Sequence, residues 1–172
     1  MSIINSCRSC KSTKLVNLFN LGNQSFTGIF LKKNKKIPKG KLTLMMCKSC
    51  SLVQLRDNFD LKVMYGSSYG YRTGLNASMV RHIQNKADFL KKISKVKKKE
   101  LIIDIGSNDG TMLNYLFKKK NSNLVGIDPT INKFKKFYNK NIKKIPNFFD
   151  KKLIDKYLKK EKAKIISSIS MF

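Results

Sequence analysis

A β module pinned by four cysteines, followed by a doubly wound parallel α/β sheet, is the architecture this 172-residue chain predicts. Three observations carry it. All four cysteines fall in two C-x-x-C pairs, Cys7-Arg8-Ser9-Cys10 and Cys47-Lys48-Ser49-Cys50. From Leu101 onward, short β-branched runs alternate with helical periods, the pattern of a parallel sheet. The first of those runs ends in a glycine-bearing turn, Gly106-Ser107-Asn108-Asp109-Gly110.

The cysteine pairs predict a zinc-ribbon-like β module over residues 1–60. Two sulfurs three residues apart grip one ion from a single turn, and a second turn completes a tetrahedral set of four thiolates. Four protein ligands leave no open position, so the metal is structural. A pair of disulfides would need an oxidising compartment, yet Met1-Ser2-Ile3-Ile4-Asn5-Ser6 carries no apolar signal-peptide core. A redox C-x-x-C would open a helix, and neither pair does. Strands are expected at Lys14–Phe19, Gly28–Lys32, Leu42–Met46 and Ser51–Leu55, with Lys33–Lys41 as an exposed loop around Pro38 and Gly40.

Residues 61–98 read as an aromatic linker and a helix. The linker carries Tyr65, Tyr69, Tyr71, Arg72 and three glycines. The helix follows Asn76, with Met79, Val80, Ile83, Ala87, Leu90 and Ile93 at helical spacing. Residues 99–172 read as a partial Rossmann-like domain: a strand at Leu101–Ile105, a helix through Met112–Phe117 and a strand at Leu124–Asp128. A helix near Asn132–Asn139, a strand near Ile142–Ile145, a helix near Lys151–Lys160 and a strand at Lys164–Ile169 complete it. The chain stops three residues after that last strand with no helix to cover it, so the sequence reads as truncated.

The formal net charge of +27 suggests a polyanion partner, but its make-up argues against specific nucleic-acid binding. Of 37 basic residues, all but Arg8, Arg56, Arg72 and Arg81 are lysine. The lysines fall at helix ends and in linkers all along the chain, whereas nucleic-acid recognition leans on arginine forks and concentrated stripes. Alanine occurs three times in a chain rich in lysine, asparagine and isoleucine, so much of the excess is compositional. No apolar run reaches the roughly 18 residues of a membrane span. A cytoplasmic protein without a membrane partner is expected.

In an open α/β sheet, ligands sit at the carboxyl ends of the strands. Here those ends carry Asp104, Asp109 and Asp128, three of only ten acidic residues. Asp128 stands about 20 residues beyond the turn, the spacing of a carboxylate on a ribose. A dinucleotide would need glycine where this chain has Asn108, and the carboxylates would repel its pyrophosphate. A cationic ligand with a ribose and an amine suits them, and S-adenosylmethionine has both. Helix capping is the plainer role for Asp109, which suits the cofactor as well and stays a cofactor-binding candidate beside Asp104. Capping does not suit Asp104, inside an apolar strand, where an unpaired carboxylate costs several kcal/mol.

Taken in order, the two cysteine pairs, Leu52-Val53-Gln54-Leu55, Tyr69-Gly70-Tyr71-Arg72-Thr73-Gly74 and Asp104-Ile105-Gly106-Ser107-Asn108-Asp109-Gly110 resemble the zinc-containing, S-adenosylmethionine-dependent sugar C-methyltransferases, which act on nucleotide-linked deoxysugars. The resemblance covers nearly all of the chain. It implies a zinc domain, a class I methyltransferase domain and a C-terminal third domain. Gly106, Asn108, Gly110 and Asp128 would line the cofactor cleft, with Asp128 on the ribose hydroxyls and the tyrosine segment over the cofactor and sugar sites. The family carries its catalytic base, a histidine after a glutamate, shortly after the fourth strand, a position expected beyond Phe172. The single histidine, His82, lies on the earlier helix, and Asn147 stands where the family tends to place an acidic residue.

The function expected is C-methylation of a nucleoside-diphosphate-linked keto-deoxysugar, with this fragment inactive by itself. Tyr69, Tyr71 and Arg72 are candidate substrate contacts, Arg72 by bidentate bonds to the diphosphate. Two other classes stay open on the residues alone: an RNA methyltransferase gripping nucleic acid through the zinc module, and a non-enzymatic zinc-ribbon interaction module.

Overall fold

A computed structural model describes residues 2–29, 36–66, 68–117, 123–159 and 161–171. The chain divides into two compact units, Met1–Gly70 and Tyr71–Phe172. The segment read as linker and helix is therefore shared between them: residues 61–70 belong to the first unit and 71–98 to the second.

The first unit holds two small antiparallel sheets. Strand β1 (Ser2–Ile3) pairs with β5 (Asp57–Asn58), and β2 (Leu15–Ser25), β3 (Lys39–Cys47) and β4 (Val53–Leu55) form a three-stranded meander. Both arms of the β2–β3 hairpin run past their expected ends, so Lys39–Lys41, expected in a loop, lie in β3. Backbone pairing from Ser25↔Lys39 to Leu15↔Cys47 carries them on, with two register shifts. Of the strand expected at Gly28–Lys32, Ile29 forms a single bridge with Tyr69, and 30–32 lie outside the described residues. The short helix α1 (Leu61–Met64) is capped by Asp60, whose carboxylate accepts from Lys62 N at 2.8 Å.

The second unit opens with a 3-10 turn, Thr73–Leu75, and helix α2 (Ala77–Ser94). Asn76 caps α2 by accepting from Ser78 N and Met79 N, and the helix ends where Lys95 turns left-handed. Four parallel strands follow, β6 (Leu101–Ile105), β7 (Asn123–Ile127), β8 (Lys143–Ile145) and β9 (Ala163–Ser168), in the order β8-β7-β6-β9. Helices α3 (Thr111–Leu116), α4 (Ile131–Phe134) and α5 (Lys151–Tyr157) connect them.

Side chains alternate across the sheet, so both faces are packed. Ile102, Leu124 and Ile165 meet Ile83 and Ala87 of α2 and Leu113 of α3 on one face. Ile103, Ile105, Val125 and Ile127 meet Leu153 of α5 on the other. The strand order reverses between β6 and β9, which places a switch point at the carboxyl end of β6, beside the Gly106–Gly110 turn.

Two helices are shorter than their periodicity suggests. α5 stops at Tyr157 rather than Lys160. α4 gives way to a 3-10 turn at Lys135–Phe137, and Tyr138 is extended. The Tyr138 ring is buried and its hydroxyl meets Ser107 Oγ at 2.8 Å and Asn108 O at 2.9 Å. A buried phenol needs those partners, and that requirement overrides helical propensity.

Candidate functional site

The four cysteines come together in the first unit through two turns of one design. In the first, Lys11 N donates to Cys7 O (3.1 Å), Cys7 N donates to Ser12 O (2.8 Å) and Lys11 is left-handed at φ 64°. In the second, Ser51 N donates to Cys47 O (2.8 Å), Cys47 N to Leu52 O (2.9 Å) and Ser51 has φ 60°. Three bonds join the turns: Arg8 N to Gln54 Oε1 (2.9 Å), Lys48 N to Lys14 O (2.8 Å) and Ser12 Oγ with Ser49 Oγ (2.8 Å).

All four sulfurs lie within 4.8 Å of one another, with Cys7–Cys50 and Cys10–Cys47 at 3.6 Å. A disulfide needs about 2.05 Å, and the cysteines are free. A tetrahedron of sulfurs about 2.3 Å from zinc has edges of about 3.8 Å, so the cluster fits the ion. The main chain also prepares the two inner ligands, Cys47 and Cys7, whereas at Cys50 the Leu52 N–H lowers the thiol but hydrogen bonding with the Cys10 and Cys7 sulfurs pushes it up to about 12. Burial pushes the Cys47 thiol up, but main-chain N–H groups of Cys50 and Ser49 outweigh it and bring it down to about 6. The corresponding N–H groups of Cys10 and Ser9 lower Cys7 in the same way. Thiolate is the form zinc takes.

The strand-end site lies in the second unit. Asp104, at the end of β6, is buried and accepts a hydrogen bond from Ser167 Oγ of β9 at 2.7 Å. Burial, aided by the charge of Asp128, raises its carboxyl from 3.8 to about 7, although the Ser167 bond lowers it. Asp128, at the end of β7, accepts from Thr130 N (2.6 Å), Thr130 Oγ1 (2.5 Å) and Asn108 N (2.9 Å). Gly106 has φ 71° and donates its N–H to Ile127 O, and the Met171 side chain covers it. Gly110 has φ 77° and a Cβ there would stand 2.6 Å from the Tyr138 ring, so only glycine fits.

Asp109 has a different task from its two fellow carboxylates. It is 1% exposed, and Thr111 N (3.2 Å), Thr111 Oγ1 (2.6 Å), Gly74 N (2.9 Å) and Arg72 Nη1 (3.2 Å) all donate to it. It thus starts α3 and anchors the segment 71–74. A Cβ at Gly74 would stand 2.7 Å from Asp109 Oδ2, which is why that approach needs glycine. Arg72 also lies 4.0 Å over the Phe137 ring. Asn108 holds the same segment: Thr73 N donates to its Oδ1 (2.9 Å) and its Nδ2 donates to Tyr71 O (3.2 Å).

The structure thus brings Asp104, Gly106, Asn108, Asp109, Gly110, Asp128, Tyr71 and Arg72 into one unit. Tyr69 belongs to the other, where its ring stands 5.3 Å from that of Tyr65. His82 is exposed on α2, and Asn147 is exposed after β8 with its side chain accepting from Phe148 N. Ser107, Thr130, Tyr138 and Ser167 were not singled out in the sequence. Ser107 alone carried a signal, its place inside the glycine turn.

The charge state of Asp104 has a measurable consequence. Between about pH 4 and 7 the folded chain holds a proton that the unfolded chain has released, so stability falls as pH rises through that window and levels off above it. Asp104→Asn keeps an acceptor for Ser167 and carries no charge. We expect the variant to exceed the wild type by about 2–4 kcal/mol at pH 8.5 in urea denaturation, with the gain fading toward pH 5. A gain that does not change with pH would mean Asp104 is ionised throughout.

Comparison with known protein families bears on the first of these sites. Residues 7–65 match the family model Methyltransf_13, described as "Putative zinc binding domain". No curated protein matches the chain. No helix among the described residues is long and apolar enough to cross a membrane. Residues 7–65 are thus similar to a methyltransferase-associated zinc-binding domain, and their four clustered thiols form a zinc-binding site.

Proposed function

We propose that the protein is an S-adenosylmethionine-dependent methyltransferase that alkylates a carbon of a nucleoside-diphosphate-linked keto-deoxysugar, with zinc structural in its first unit. The observation that carries the reading is the chemistry of the β6–β7 strand ends. Two buried acids, Asp104 and Asp128, face one switch point, close enough that the charge of Asp128 helps raise the Asp104 carboxyl. The glycine turn beside them offers no anion cradle, because the Asn108 N–H is already spent on Asp128. A pyrophosphate would meet negative charge and a filled loop. A ribose diol and an ammonium group would meet acceptors. The match of residues 7–65 to a methyltransferase-associated zinc domain supports the same reading.

In this reading S-adenosylmethionine supplies an electrophilic methyl group on a sulfonium. Asp128 accepts from the ribose hydroxyls, and Asp104, ionised, accepts from the ammonium. Gly106 and Gly110, at positive φ, let the turn close beside the ligand. Tyr71 and Arg72 contact the sugar nucleotide. No residue of this chain is assigned the removal of the proton α to the ketone. Loss of that proton makes the α carbon itself the nucleophile, and holding it in line with the methyl and the sulfonium leaving group is the work of positioning.

The arginines speak against the RNA alternative. Arg56 pairs with Asp57, and Arg8 donates to Asn58 and Leu55 O. Two of the four planar forks are thus committed internally, so an RNA would be met mainly by lysine, a weak, salt-screened attraction.

Calorimetry tests the proposal. S-adenosylmethionine or S-adenosylhomocysteine is expected to bind at micromolar levels, and Asp128→Ala to weaken binding by about 1.5–3 kcal/mol. A preference for NAD, or stabilisation by short RNAs at about 200 mM salt with no response to nucleotide sugars, would overturn it.

A further inference from the structure

Asn108 spends every hydrogen-bonding group it has, and it spends them in opposite directions. Its main-chain N–H donates to Asp128 Oδ2 at 2.9 Å, and its carbonyl accepts from Tyr138 Oη at 2.9 Å. Its side-chain amide faces the other way: Oδ1 accepts from Thr73 N at 2.9 Å and Nδ2 donates to Tyr71 O at 3.2 Å. The amide orientation is set by need, since an N–H requires an acceptor and a carbonyl a donor. The residue is buried and left-handed at φ 48°, a conformation asparagine adopts more readily than most side chains. One buried residue therefore joins a carboxylate at the end of β7 to the backbone of residues 71–73. No other residue of the strand-end turn touches both.

We propose that Asn108 is a positioning residue that couples the strand-end cleft to the 71–74 strap, so that a ribose-bearing ligand held by Asp128 orders the strap carrying Tyr71 and Arg72. A ligand hydroxyl on Asp128 competes for, or reinforces, the acceptor that holds the Asn108 N–H. Any change in that bond moves the Asn108 peptide, and the side-chain amide carries the movement to Thr73 N and Tyr71 O. The strap has no alternative anchor at those two groups among the described residues. Asp109 holds the neighbouring positions, Arg72 and Gly74, but makes no bond to Asp128. Asp109 is therefore the static anchor and Asn108 the responsive one. In functional terms the first ligand prepares the wall that receives the second, which makes their binding cooperative and ordered. The identity of the ligand rests on the methyltransferase reading; the coupling does not rest on the second substrate being a sugar nucleotide.

Amide hydrogen exchange of the whole chain, with and without S-adenosylhomocysteine, tests it. In the wild type the ligand should slow exchange at Thr73 at least tenfold. Asn108→Gly keeps both main-chain bonds and suits φ 48°, yet removes the side-chain amide. In that variant Thr73 should exchange at least tenfold faster without ligand, and bound ligand should leave the rate unchanged. Asn108→Asp, which keeps an acceptor for Thr73 N and loses the donor to Tyr71 O, should give an intermediate response, and it serves if the glycine variant does not fold. Protection of β6 and α2 amides reports folding in each case. If the ligand binds the wild type and Thr73 exchange does not change, the coupling is wrong and the methyltransferase reading stands. The coupling is also wrong if ligand still slows Thr73 in the glycine variant. If no binding to the wild type is measured, the methyltransferase reading fails and takes the coupling with it.

Discussion

Replacing any one of Cys7, Cys10, Cys47 or Cys50 by serine is expected to abolish zinc retention and unfold the first unit while the second stays folded. The magnitude follows from what else could hold that unit together. Its buried hydrophobic residues among those described are Ile29, Met45 and the two inner cysteines, Cys7 and Cys47. Leu18, Phe19 and Leu21 of β2 are about half exposed. So small a core cannot offset the conformational entropy of some 60 residues, and small domains of this kind draw their stability from metal or disulfide staples. Apparent binding energies for structural zinc of about 10–16 kcal/mol appear directly as folding energy. Elemental analysis should find one zinc per chain in the wild type and none in the variants. A strong chelator should abolish exchange protection in β2 and β3 and leave β6 and β7 protected. Metal-free protein with those amides still protected would show that the thiols are packing residues.

Asp109→Ala is expected to destabilise the second unit by about 3–5 kcal/mol. Four donors converge on that carboxylate from both sides of the turn. Removing it leaves the Arg72 guanidinium, 18% exposed, without its counter-charge, and leaves the Gly74 and Thr111 N–H groups unpaired. Stranding a buried charge costs about that much, and each orphaned donor adds to it. Asp109→Asn should be nearly as harmful, because an amide nitrogen would face donors on one side. Urea denaturation of Asp109→Ala, Arg72→Met and the double variant closes a cycle. With Arg72 already removed, the loss from Asp109→Ala should shrink by at least about 1 kcal/mol. Strict additivity would mean that the two residues do not act as a pair.

The cysteine turns were legible in the sequence because everything they need is local. Two ligands three residues apart close within one turn, and the equal turn geometries at Lys11 and Ser51 are set by the few residues around each pair. The parallel strands were legible for a similar reason. Leu101–Ile105 and Asn123–Ile127 are short apolar runs with turn residues at their ends, and burial on both faces is what such runs satisfy. Strand-end position then followed for Asp104 and Asp128, since the carboxyl end of a strand is a property of chain direction.

What those residues do at their positions was decided by partners far away along the chain. Asp104, Asp109 and Asp128 look equivalent in the sequence, three acids at one rim. Tertiary structure separates them. Ser167, 63 residues on, gives Asp104 one hydroxyl and little else, so burial pushes its proton affinity up. Arg72, 37 residues back, turns Asp109 into an anchor rather than a ligand-facing charge. Tyr138 shows the same limit from the opposite side: the spacing of Ile131, Phe134 and Tyr138 satisfies a helix, and only a phenol seeking Ser107 and Asn108 across the turn ends it. Periodicity records which face of an element is apolar. Hydrogen-bond demand and charge are settled by whichever group folding brings within 3 Å, and that group is named nowhere in the local sequence.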